Sequence, residues 1–148
     1  MREILFRGRS VDTDEWVYGS FCMDALEQVG HPIEVNGFIR WYDIENKKVL
    51  VCEVERETVG QYTGLCDKNG KKIFEGDVLS HYINWLGRRV NGVCEYDDKE
   101  QAAWMCRFVD ESENEATGFL ADWVDNNGCE IIGNIHDNPE LLKGGAQE

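Results

Sequence analysis

Apolar and polar residues alternate from Arg2 to Arg7, with Ile4 and Phe6 on one side and Glu3, Leu5 and Arg7 on the other. A period of two predicts a strand. The aromatic and β-branched run Trp16 to Cys22 predicts a second strand, joined to the first as a hairpin through the polar turn Ser10 to Glu15. Met23 to His31 has too little periodicity for more than a loop or a single turn. Ile33 to Trp41 reads as a strand interrupted at Asn36-Gly37, and Val49 to Glu55 as a strand with Glu53 and Glu55 on its exposed side, after a turn at Asp43 to Lys48. Further strands are predicted at Val78 to Trp85, Val90 to Tyr96 (broken at Asn91-Gly92), Ala103 to Val109 and Cys129 to Ile135. Between them lie a basic turn at Gly87 to Arg89 and a turn at Asp97 to Gln101. An acidic loop follows at Asp110 to Thr117, then a short strand or helical turn at Phe119 to Val124, and the left-handed turn Asn126-Asn127-Gly128. Near the end, Asn138 is placed to cap a short helix whose first residue is Pro139, with Gly144-Gly145 stopping it.

The densest turn chemistry lies in the middle. Asp67-Lys68-Asn69-Gly70 places side chains that bond to nearby backbone beside residues that tolerate positive φ, between the extended segments Gln61 to Leu65 and Lys71 to Phe74. Glu75-Gly76-Asp77 turns the chain again. Reversals set so close suit a small barrel or a tightly curled sheet, in which glycine marks a sharp corner. The run VGQYTGLCDKNGKKIFEGDVL resembles the signature of the YopX family, small proteins of phages and prophages. The opening MREILFRGRSVDTDEWVYG and the closing EIIGNIHDNPELL resemble that family's first strand and final motif, so the likeness runs from Arg2 to Leu142 in order. Cys66, where a charged or polar residue is more usual, and the acidic stretch before the end depart from the pattern. The resemblance implies a mainly β fold: a single domain over 1–143 with an SH3-like barrel core, extra N-terminal strands and a short C-terminal helix, then a frayed tail at 144–148. It implies no catalytic residue.

Composition is consistent with one folded domain. The 148 residues are 42% hydrophobic and 11% aromatic, and 15 glycines against 2 prolines suit a turn-rich β protein. The N-terminus has no long apolar segment that would direct export and no run reaches membrane-spanning length, so the expected location is the cytoplasm of a bacterial host cell with its thiols reduced. The formal net charge is -14, and eleven of the acids lie between Asn91 and Glu130, opposed there only by Lys99 and Arg107. Such a field repels phosphate backbones and attracts basic surfaces.

Candidate chemistry is sparse. Asp67-x-Asn69 fails as a calcium loop, because Lys72 and Val78 stand where glycine and glutamate are needed. Glu75 and Asp77 form a potential carboxylate pair, although Asp77 suits turn fixation better. The 6 cysteines contain no Cys-x-x-Cys, and none sits at zinc spacing with His31, His81 or His136. Arg7 and Arg9 with Arg88-Arg89 offer a small basic patch. Most of the 5 tryptophans are expected in the core. No catalytic residue, metal ligand or cofactor is assigned. The residues put forward for binding are the aromatics Tyr18, Tyr62 and Trp85 and the acids Glu75, Asp77, Asp110, Glu111, Glu113 and Glu115. The function expected is a noncatalytic phage accessory module that binds a protein, acting on a host factor through its acidic surface. The alternative is a nucleic-acid-binding small barrel, and a small hydrolase ranks last. A homo-oligomer is compatible with the exposed strand edges of small β proteins.

Overall fold

The computed structural model describes residues 2–22, 36–109 and 114–142. The fold is mainly β, with two antiparallel sheets and one α-helix among the described residues. These residues gather into two compact units, 1–62 and 63–148. The span expected to form one domain, 1–143, includes residues of both units. The loop expected at Met23 to His31 and the tail at 144–148 lie outside the described residues, as does the start of the strand expected from Ile33.

The first unit holds β1 (Phe6–Arg9), β2 (Trp16–Cys22), β3 (Gly37–Asp43), β4 (Lys48–Val54) and the beginning of β5 (Gly60–Cys66). Its strands lie in the order β4-β3-β2-β1-β5. A 3-10 turn at Arg56–Thr58 separates β4 from β5. Alternation along the strands sends Ile39 and Val54 to a fully buried face. Beyond the end of β1, Ser10 bridges Val54, and the Glu55 N–H donates to the Arg9 carbonyl at 2.9 Å. The buried Thr58 hydroxyl secures this corner, donating to the Glu55 carbonyl at 2.6 Å and accepting the Arg9 N–H at 2.9 Å.

Past Tyr62, β5 continues into the second unit, where β6 (Lys72–Phe74) lies beside it. The second sheet has the order β10-β9-β8-β7-β11, built from β7 (Asp77–Ile83), β8 (Arg88–Asp97), β9 (Ala103–Val109), β10 (Glu115–Phe119) and β11 (Cys129–Asn134). Both sheets are open, with a linear strand order. One face of the second sheet carries Leu79, Ile83, Val90, Cys94, Cys106, Phe108 and Cys129, and α1 (Leu120–Asp125) covers it with Leu120 and Trp123. The expected C-terminal helix is a 3-10 turn at Pro139–Leu142.

The central turns fold as their chemistry directs. Asp67 is buried, and its Oδ1 accepts the N–H groups of Asn69 and Lys71, both at 2.9 Å. Gly70 takes φ +82°, while Asn69 does not enter the positive-φ region. Gly76 turns the second corner at φ +91°, and Asp77 Oδ2 accepts the Phe74 N–H at 2.8 Å. Three expectations need correction. Asn91-Gly92 does not break β8, which runs unbroken from Arg88 to Asp97. A Cβ on Gly92 would come within 2.5 Å of the Trp123 ring, so this glycine makes room for α1 rather than turning the chain. Arg88 and Arg89 belong to β8 rather than to a turn. The acidic loop expected to Thr117 gives way at Glu115, where β10 pairs along β9.

Candidate functional site

Two concavities in the second unit share a wall, the β10 residues Thr117, Gly118 and Phe119. The first, about 440 Å³, is an acidic cup between β8, β9 and β10 and the turn after β8. Its carboxylates are Glu95, Asp97, Asp98 and Glu100, and its cations are Lys99 and Arg107. Arg107 is already committed. Its Nη2 meets Glu95 Oε1 at 2.9 Å and its Nη1 meets Glu115 Oε1 at 3.3 Å. The hydrogen bonds to Glu95 dominate in holding the guanidinium above even its ordinary value. Asp97 holds the turn together, its Oδ1 accepting the N–H groups of Lys99 at 3.0 Å and Glu100 at 3.3 Å, and these bonds keep its carboxyl below the usual range. Asp98 and Glu100 are exposed, and no ion pair holds either of them among the described residues. Tyr96 and Phe119, both exposed, stand at the rim.

The second concavity, about 400 Å³, lies between the β7–β8 turn and α1. Its inner end is His81 stacked on Trp123, with ring centroids 4.6 Å apart and planes at 19°. Stacked rings cover each other's faces and leave the imidazole edges for hydrogen bonding. His81 Nδ1 lies 2.8 Å from the Gly128 carbonyl. A carbonyl only accepts, so Nδ1 carries the proton, and in the neutral ring Nε2 is an acceptor. Gly128 reaches this position through a left-handed turn, with φ +64° at Asn127 and +69° at Gly128. Asn127 Nδ2 donates to Asn84 Oδ1 at 3.2 Å across the mouth, where Trp85 is 76% exposed.

The residues picked from sequence fare unequally. Trp85 and Glu115 flank these concavities, Trp85 lining the second and Glu115 holding Arg107 of the first. Tyr18 is exposed, but on the first sheet, where strand alternation puts it on one face with Tyr42, Val49 and Val51. Tyr62 is not a surface aromatic: it is buried, and its N–H donates to the Leu5 carbonyl at 2.7 Å. Asp77 is buried and its carboxylate serves the turn, while Glu75 is half-buried. Asp110, Glu111 and Glu113 lie outside the described residues. The arginines of the expected basic patch are engaged locally: Arg9 pairs with Glu55 at 3.0 Å, Arg7 stacks on Trp16, and Arg89 Nε donates to Ser80 Oγ at 2.9 Å. Asp122, Asn84 and Trp123 escaped the sequence reading. Their pattern has no local signature, since a tertiary turn brings them together.

Among the described residues, no three His, Cys, Asp or Glu side chains gather in a metal-binding arrangement, and no helix is long and apolar enough to cross a membrane. Burial pushes the Cys129 thiol up to about 11, with the nearby Asp67 charge adding to the effect, and burial raises Cys106 further. A thiol raised in this way is a poor nucleophile. Native protein treated with iodoacetamide at neutral pH is therefore expected to alkylate at the exposed Cys22 and to spare Cys94, Cys106 and Cys129 until denaturant is added, as peptide mass mapping would report. Above pH 9 the unfolded thiol of Cys129 ionises while the folded one stays protonated. Its contribution to stability is thus present below about 9 and lost as pH rises through about 11.

No curated protein matches the chain. The crystal structure of protein EF1440 from Enterococcus faecalis is similar to it, at 22% identity and a TM-score of 0.54, with 97% of this chain and 100% of that chain covered. At that identity the likeness concerns the fold. The family model described as YopX protein matches residues 6–143, a span that includes the double turn, both concavities and the final 3-10 turn. The chain belongs to the YopX family.

Proposed function

We propose that this protein is a noncatalytic interaction module, of phage or prophage origin, that grips a basic segment of a host protein with the acidic cup of its second unit. The observation that carries the reading is the state of the charges there. Arg107 is neutralised within the protein by Glu95 and Glu115, whereas Asp98 and Glu100 are left facing solvent beside Tyr96 and Phe119. Exposed carboxylates next to aromatic faces suit lysine and arginine side chains, which combine charge with an apolar stem. The same carboxylates disfavour a phosphate backbone.

The first unit supports a finer reading of the fold. The order β4-β3-β2-β1-β5, the 3-10 turn before β5 and the Ser10–Val54 bridge agree with a partly open SH3-like barrel. Barrels of that kind commonly serve as binding modules rather than enzymes.

Hexalysine peptide titrated calorimetrically into the protein is expected to bind, and to weaken steeply between about 50 and about 200 mM salt because exposed charges are screened. Asp98→Lys with Glu100→Lys is expected to abolish that binding while leaving the circular dichroism spectrum unchanged, since both side chains are exposed. Equal binding by the charge-reversed protein would rule out the cup.

A further inference from the structure

We propose that the second concavity is an arginine pocket, built to take one guanidinium of the basic partner segment. The inference rests on the basic-partner reading above and adds to it a specific side chain and a specific site. His81 is 5% exposed, lines the concavity and makes one hydrogen bond among the described residues, from Nδ1 to Gly128. Its Nε2, on the other side of the ring, has no partner among the described residues. Nε2 keeps contact with solvent at the concavity, so it is an acceptor that an incoming donor can reach.

The rest of the lining narrows the donor. Among the described residues no lysine or arginine lines the concavity to compete for an incoming cation. Asp122 supplies a carboxylate that makes no ion pair among the described residues, and Asn126 a further carbonyl oxygen. Trp85 and Phe119 supply aromatic surface at the mouth. Acceptors combined with π faces match a guanidinium, which is planar, carries only donors and stacks on aromatic rings. An ammonium satisfies the carboxylate but cannot stack in the same way. Thr117 to Phe119 line both this pocket and the acidic cup.

Hexa-arginine and hexalysine carry equal charge and separate the two readings. Calorimetry on the intact protein is expected to show hexa-arginine binding about tenfold more tightly. Trp85→Ala and Asp122→Asn, at exposed positions, are each expected to bring hexa-arginine affinity down to about that of hexalysine, with hexalysine affinity changing by far less than the tenfold preference lost. Equal affinity of the two peptides for the wild-type protein overturns the arginine pocket and leaves the acidic cup standing. An arginine preference that survives both substitutions overturns it as well. Binding of neither peptide removes the basic-partner reading, and the pocket with it.

Discussion

Replacing Asp67 by alanine is expected to cost about 3–5 kcal/mol of folding stability. The side chain does more than close its own turn. While Oδ1 accepts the N–H groups of Asn69 and Lys71, Oδ2 reaches across to accept the Ile131 N–H of β11 at 3.1 Å. The Lys68 N–H adds a bond to the Cys129 carbonyl at 2.9 Å, so the hairpin tip is riveted to an edge strand of the second sheet. Alanine leaves these donors without their acceptor in a place where the parent side chain is only 7% exposed. Asparagine keeps a single oxygen and can serve either the turn or β11, so Asp67→Asn should lose roughly half as much. Urea unfolding would give the difference as a shifted midpoint at constant slope. Hydrogen exchange gives a sharper reading: the Ile131 amide should lose protection in the alanine variant, ahead of the amides of β8. A loss below about 1 kcal/mol for alanine would show that the turn holds without its carboxylate.

The tip of this hairpin is also where sequence reasoning worked best. Asp67, Gly70, Gly76 and the Asn127-Gly128 pair act through backbone within a few residues, so their roles can be read locally. The link from Asp67 to Ile131 was not legible, because nothing in a turn sequence says which distant strand will supply a second donor. Non-local packing also explains the misreadings. Asn91-Gly92 looks like a turn, yet β7 and β9 pair on either side of it and the glycine is set by the Trp123 ring above. Glu115 to Phe119 looks like the end of a solvated acidic loop, yet β9 recruits it as a strand and Arg107 engages its first carboxylate. Tyr62 sits in a segment rich in turn residues, but burial follows the sheet rather than the local composition. The acidic excess was legible in outline. Composition alone could not reveal that Arg107 is used up internally, leaving Asp98 and Glu100 open.

Trp123→Ala is expected to destabilise the second unit by about 3–5 kcal/mol and to dissolve the second concavity with it. A helix of six residues has almost no stability of its own, and α1 has no side-chain hydrogen bond at its N-cap. Its place depends on Leu120 and Trp123 reaching into the core. The indole lies against Gly92, stacks on His81, and packs 5.7 Å from Phe108 at a 48° tilt. Removing it empties the space that Gly92 leaves and uncovers one face of His81. Without the helix, the turn at Asn126 to Gly128 loses its fixed start, and the Gly128 carbonyl that orients His81 moves with it. Trp123→Phe should retain much of the burial and lose about half as much stability, since the smaller ring leaves only part of the cavity. Urea unfolding would measure both losses. An amide spectrum in which Asn84, Asn127 and Gly128 shift in the alanine variant, but far less in the phenylalanine variant, would tie the pocket to the indole. If those three resonances stayed in place in Trp123→Ala, the β7–β8 turn and β11 would be sufficient to shape the concavity, and α1 would be only its cover.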